Sequence, residues 1–319
     1  MPLWLEVLLR SVAVLAAFLV LPLLVGQLEH KVMGHMQGRL GPMYAGGFHG
    51  WAQLVADGVK FLQKEAVTPA AADRTVFALA PGVALVPYLV AMVAVPLSPL
   101  VVGAHLDAGL LFVLAASAVG VLGTLMGGWA SGNKYSMLGG LRTAAQLLSY
   151  ELPLVLAATS VAMAAGSLDL IVIAESWHWW WLFWQAPAAI VFLVAGVAEL
   201  QRPPFDMPIA DAELVLGPYT EYGGLRFAFF LLAEYAGIVL FSALFAVLFL
   251  GGWAGPFSEA LGWLWTLLKG ALVAFVILWI RVAWPRLRAD QLQSLAWLVL
   301  VPVALAQLVL TAVVVWALG

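Results

Sequence analysis

The chain has 319 residues; 64% are hydrophobic, 10% carry a formal charge, and fourteen Lys and Arg stand against seventeen Asp and Glu for a net charge of −3. A soluble domain carries about 25% charged residues, so an ordinary water-soluble fold is excluded, and without a basic excess to neutralise phosphates so is nucleic-acid binding. With no Cys, the chain alone can form no disulfide, thiolate–zinc site, iron–sulfur ligation or thiol nucleophile.

What remains is an all-α polytopic integral membrane protein. About 20 helical residues cross a hydrocarbon core of roughly 30 Å. Eight apolar segments meet that need, near 3–27, 76–98, 109–130, 143–166, 179–199, 227–250, 263–284 and 294–318. Their continuous Leu, Val and Ala runs lack the alternation of barrel strands. One membrane domain, 1–319, is expected, without repeat or soluble domain. Met1 to Arg10 lacks a positive n-region, so no cleavable signal peptide is expected. Arg10, inside the first helix, is offset by Glu6 one turn earlier, in the favourable order.

After the first helix, Phe48, Trp51, Leu54, Val55, Val59 and Leu62 recur at helical spacing, opposite a stripe of His49, Gln53, Asp57, Lys60 and Lys64. This predicts an amphipathic helix near 47–65 lying at the cytoplasmic interface. His30 and His35 are five apart and share no helix face, so no metal site is expected. In the third span Gly120, Gly123, Gly127 and Gly128 suggest close helix packing rather than a phosphate loop. The Trp177–Trp184 tract at the outer end of the fifth span reads as an aromatic interface belt.

The loops after helices one, three, five and seven hold Lys31, Arg39, Lys60, Lys64, Arg74, Lys134, Arg142, Arg202, Arg226, Arg281, Arg286 and Arg288, twelve of the fourteen basic residues. The other loops hold Asp107, Asp169, Glu175 and Glu259. The positive-inside rule then puts the basic loops in the cytoplasm and, with an even span count, both termini outside. Lys269 is the exception on the outer side.

Three carboxylates fall within spans: Glu151, Glu199 and Glu234. A charge there costs at least about 2.5 kcal/mol, so such groups face the bundle or a wet cavity. Glu151 and Glu234 lie nine and eight residues beyond Arg142 and Arg226, about 12–14 Å deep at ~1.5 Å per residue. Similar depth allows a shared hydrated ion path; the alternative is three structural acids satisfied by Tyr150, Ser149, Tyr235 or Arg202. The loop 199–222 adds Asp206, Asp211, Glu213 and Glu221 around Arg202 alone, with Pro203, Pro204 and Pro208 forbidding a regular helix. Crowded carboxylates raise one another's pKa, and Phe205, Met207, Ile209, Leu214, Val215 and Leu216 are expected to need burial.

These same residues carry a family resemblance. GHMQGRLGPMYAGGFHGWAQLVADGVKFLQKE (Gly34 to Glu65), GGWASGNKYSMLGGLRTAAQLLSYELPL (Gly127 to Leu154), AELQRPPFD with AELVLGPYTEY, FLLAEY and WPRLRADQL resemble, in order, the H-subunit family of bacterial NADH–quinone oxidoreductase, respiratory complex I. The resemblance implies an eight-helix subunit that is inactive alone, forms part of a quinone chamber and couples quinone reduction to proton translocation. It implies no cofactor on this chain, quinone as substrate, and FMN and iron–sulfur clusters on partner subunits of the peripheral arm. Antiporter-like membrane subunits and lipids are further partners, in a bacterial plasma membrane. Carried over, Glu199, Asp206, Asp211, Glu213 and Glu221 form the coupling loop, and Glu151 and Glu234 the channel acids. Arg39, Asp57, Arg202 and Phe205 line or brace the quinone entrance and chamber. The chain departs from the family pattern at Leu200 and Gln201, at Ile209 where an acid is usual, at Asp211 for Glu, and at His30 for Arg. Two alternatives remain: a subunit of a related complex with another donor or a hydrogenase, and a stand-alone transporter, which should show inverted repeats of broken helices.

Overall fold

The computed structural model describes residues 3–209 and 211–318, of which 3, 4, 6–9, 211, 212 and 318 are described by their backbone alone. The Glu6 side chain, expected beside Arg10, and the Asp211 carboxylate therefore lie outside the described residues. In chain order the helices are α1 Leu3–Met36, α2 Gln53–Gln63, α3 Arg74–Ala94, α4 Gly109–Ala130, α5 Lys134–Ala165, α6 Leu170–Glu175, α7 Trp181–Trp184 and α8 Ala186–Glu199. There follow α9 Asp211–Leu214, α10 Gly224–Phe249, α11 Ser258–Ala283, α12 Ala289–Leu295 and α13 Val301–Leu318. Among the described residues there is no strand.

Among the described residues, seven helices are long and apolar enough to cross a membrane: α1 from Arg10, α3, α4, α5, α10, α11, and α12–α13 joined by a π-helical turn. The eighth expected span, 179–199, is divided. Gln185 separates the single turn of α7 from α8, and Pro187 occupies the first turn of α8, where its missing N–H costs nothing. The fourteen residues of α8 reach only about 21 Å at ~1.5 Å per residue. Hydropathy alone misses this break, because both sides of it are apolar.

Two other helices outrun their apolar segments. α1 continues from 27 to Met36: the polar residues Gln27, Glu29, His30 and Lys31 do not stop the helix. α5 begins at Lys134, where the Asn133 side chain accepts the Tyr135 N–H at 2.9 Å, an N-cap. The segment expected to be an amphipathic helix near 47–65 is a 3₁₀ turn, Phe48–Gly50, followed by the shorter α2. Leu54 of α2 reaches Gly26 of α1, whereas Phe48, Trp51, Val55, Val59 and Leu62 are exposed.

The bundle closes around α10, the most buried of the spans, which packs on α1, α3 and α11. α3 packs on α4, α4 on α5, and α5 on α8 and α13. A methyl on Gly123 would overlap the Ala84 backbone, and one on Gly128 would sit 2.6 Å from Ser136 O. These glycines allow α4 to approach both neighbours, as their spacing predicts.

At the acidic end of the bundle the exceptional Lys269 is accounted for. Its Nζ donates to the carbonyls of Leu250, Gly252 and Ala254 at 2.7, 2.9 and 2.8 Å, a cation closing the carbonyl-rich C-terminus of α10. Nearby, His105 Nε2 lies 2.6 Å from Asp169, which also caps α6, and this carboxylate holds the imidazole above its ordinary pKa. In the tryptophan tract, Trp179 and Phe183 are exposed as a belt requires, but Trp181 is buried and Trp177 Nε1 donates to Phe249 O at 3.1 Å.

Candidate functional site

Where α8 ends, the chain turns back into the bundle and delivers Arg202 to the interior. Its side chain is 2% exposed. Nη1 lies 2.8 Å from Glu29 Oε2 and Nε lies 2.7 Å from Glu234 Oε1. The Tyr235 ring lies 4.8 Å from the guanidinium carbon. Glu29, 3% exposed, is also ion-paired with Arg281. Two arginines and two carboxylates thus form a neutral chain, Glu234–Arg202–Glu29–Arg281, joining α10, the loop after α8, α1 and α11. A fork-shaped guanidinium suits this bridging, since it presents donors in two directions at once.

Glu234 has a second environment. With Glu199 it lines a cavity of about 30 Å³, bounded also by Tyr88, Thr124, Tyr219 and Ile209; that is room for one or two water molecules. Tyr219 Oη and Thr124 Oγ1 are 3.3 Å apart. Burial holds the Tyr219 phenol above its ordinary pKa, so it stays a neutral hydroxyl. Glu199 is buried. Two acids and a phenol around a small polar cavity can exchange a proton through one water molecule or hydroxyl.

Three other expected residues do not join this cluster. Glu151 is half-buried on α5 and is not among the cavity's lining residues. Its sequence neighbours do not satisfy it: Tyr150 Oη donates to Leu292 O at 2.8 Å, and Ser149 Oγ to Gln293 at 2.5 Å. Arg39 is exposed and donates to Gln37 at 2.9 Å. Asp57, on α2, accepts from Gln53 at 3.1 Å and from Lys60 at 3.3 Å.

The described acids of the loop are separated rather than crowded. Asp206 pairs with Arg286 at 2.9 Å and Glu213 with Arg142 at 2.6 Å, while Glu221 accepts from Asn133 at 2.6 Å. Arg142 accordingly holds the Glu213 carboxyl below its ordinary pKa, opposite to mutual repulsion. Counting Arg202 as the loop's one cation overlooked those supplied by α5 and by the segment before α12. The loop backbone is fixed by Gln146 of α5, whose Nε2 donates to Ala198 O and Phe205 O at 2.6 and 2.7 Å. Leu287 N also donates to Pro204 O at 3.1 Å. Phe205, Met207 and Leu214 are buried, Phe205 against Tyr150; Val215 and Leu216, expected inside, are exposed.

Sequence reading passed over Glu29, Arg281 and Gln146. Glu29 sat just past the assumed end of the first span, and Arg281 was counted as a loop charge. The available signal was helical continuity from Leu3 to Met36, which places Glu29 on a buried face.

A family model described as NADH dehydrogenase matches residues 9–312. The H subunit of the NADH-quinone oxidoreductase of Geobacillus kaustophilus (strain HTA426) is 48% identical over 291 residues, covering 90% of this chain and 87% of the relative. Its counterpart of the same name from Geobacillus thermodenitrificans (strain NG80-2) is 46% identical with the same coverage. That from Bacillus cereus (strain Q1) is 46% identical over 289 residues, 90% of this chain and 87% of the relative.

Proposed function

The chain belongs to the NADH dehydrogenase family, and on that premise we propose that it is a membrane subunit of a proton-translocating NADH–quinone oxidoreductase. It forms part of the quinone chamber and couples quinone reduction to proton movement. In this reading α7 and α8 together make the fifth of eight crossings, and the basic end faces the cytoplasm of a bacterial cell. Both termini then lie outside, and the exposed apolar face of α2 lies in the membrane interface. Flavin and iron–sulfur centres on partner subunits supply electrons; with no Cys this chain contributes the chamber and the acids.

The observation that carries the reading is the double environment of Glu234, ion-paired to Arg202 and facing the same cavity as Glu199. Glu29 and Glu234 share one guanidinium. Protonating Glu234 releases Arg202 toward Glu29, and deprotonating it draws Arg202 back. Reduction of quinone at the basic end consumes protons and changes the local charge. Asp206, Asp211, Glu213 and Glu221 pass that change to the loop that carries Arg202 and Phe205. Arg39 and Asp57 flank the quinone entrance beside α2. Glu199 and Glu234 then exchange a proton through the cavity, and Glu151 hands it to neighbouring antiporter-like subunits.

The test is the intact assembly in proteoliposomes. NADH should drive inhibitor-sensitive quinone reduction together with proton translocation, both lost when this chain is deleted. Unchanged quinone reduction and proton translocation in the deletion would remove the assignment.

Ile209 gives a gentler prediction. It stands in the cavity wall beside Glu199 and Glu234, so Ile209→Glu adds a third acid to the exchange. Assembly should be unchanged, with the pH at half-maximal proton translocation moved by about one unit, the ordinary scale of carboxylate perturbation in proteins. An unmoved pH profile in the assembled variant would show that the cavity lies off the proton path.

A further inference from the structure

Glu199 and Glu234 belong to a repeated spacing along their helices. Gln185, Phe192 and Glu199 stand seven residues apart through α8 and its N-cap, and Glu234, Phe241 and Leu248 stand seven apart on α10. Seven residues turn an α-helix by about 700°, so each trio follows nearly one face. The two acids share the cavity of about 30 Å³. Gln185 and Leu248 share a second cavity, of about 50 Å³, at the acidic end beside Trp177 and Leu250. The Gln185 amide accepts from Ser160 Oγ and Gln307 Nε2 and donates to Thr311 Oγ1, each at 3.2 Å. One of its two N–H donors remains for a water molecule in that cavity.

The phenylalanines lie between the two. Phe192 is 0% exposed, and its ring stacks on Phe241 with centroids 4.9 Å apart and planes 10° from parallel. Phe192 also meets Phe249, 5.4 Å away, which lines the second cavity. A methyl on Gly196 would overlap the Phe241 ring, so glycine at this position lets the ring rest against the α8 backbone.

We propose that the stacked Phe192–Phe241 pair is a dry seal between the two polar cavities, holding the proton exchanged by Glu199 and Glu234 in the basic half of the bundle. The inference rests on the reading above, in which that proton leaves by way of Glu151. Protons move along acids, hydroxyls and water, and the two rings supply none of these. Along α8, Gln185 and Glu199 are about 21 Å apart at ~1.5 Å per residue, with Phe192 midway. Without the rings, water from the acidic end would join the cavities, and a proton driven outward would return down its gradient instead of being handed on.

The test is the passive decay of an imposed pH gradient in proteoliposomes holding the assembled complex without NADH, read by an entrapped pH dye. An apolar gap stays dry, whereas water enters where it finds polar partners. Phe192→Ser should therefore hydrate the layer and speed the decay severalfold, while Phe192→Leu should decay as wild type does. Adding Glu199→Gln to Phe192→Ser should restore the wild-type decay, which a general loosening of the bundle would not allow. Failure of the proposed function would show separately, as NADH-driven quinone reduction that survives deletion of the chain. Should Phe192→Ser fail to assemble, wild type decides: its decay should match that of Glu199→Gln alone, because no proton passes the seal in either. The proposal is overturned if assembled Phe192→Ser decays as wild type does, or if Phe192→Leu decays as fast as Phe192→Ser. It is equally overturned if Glu199→Gln leaves the leak of Phe192→Ser in place, or if wild type decays faster than Glu199→Gln.

Discussion

Glu234→Gln is expected to give an assembled complex that no longer moves protons. The amide is nearly isosteric with the carboxyl, and its Oε1 can still sit 2.7 Å from Arg202 Nε, as the carboxylate does. Arg202 also remains held by Glu29, so no buried cation is left without a partner. What disappears is the group's ability to bind and release H⁺. Loss of a positioned proton carrier costs on the order of 10²-fold or more in the step it serves. Proton translocation should therefore fall to background and tightly coupled quinone reduction with it, while the amount of complex in the membrane stays near wild type. Wild-type acidification by this variant would remove Glu234 from the path.

Arg202→Met is expected to do the reverse, damaging the assembly before the chemistry. Methionine has similar bulk but leaves Glu29 with only Arg281 and Glu234 with no cation from this pair. Removing one partner of a buried ionic network costs about 3–5 kcal/mol. The yield of intact complex, measured on native gels, should drop severalfold or more. Arg202→Lys should recover only part of it, since a single ammonium cannot bridge two carboxylates as a planar fork does. The double variant Arg202→Met with Glu234→Gln should be better assembled than Arg202→Met alone, because it no longer buries that unpaired charge. A strictly additive result would mean that the two side chains do not share an energetic interaction.

Much of the architecture was legible in the sequence because the membrane is a demanding solvent. Long charge-free runs such as Gln291 to Gly319 have no alternative to a spanning helix, and the four glycines of α4 told of close packing before any neighbour was known. The division of the fifth segment at Gln185 was not legible, since apolar residues lie on both sides of the break. Nor was the end of α1, where polarity was mistaken for termination.

For the candidate site, Glu199 and Glu234 could be picked out by residue type alone, because an ionisable group in an apolar run must be satisfied by something; Arg202 read only as the cation of the loop 199–222. Composition and hydropathy therefore marked Glu199 and Glu234 as charges held inside, but not Glu29 or Arg281. Their partners were decided by the tertiary structure. Arg202 and Glu29 lie 173 residues apart in the chain, and the cations facing Asp206 and Glu213 come from elements beyond the acidic loop. A pairing of that kind depends on the rotation and close approach of separate helices, set by packing at positions such as Gly123 and Gly128. No local pattern of charges encodes it.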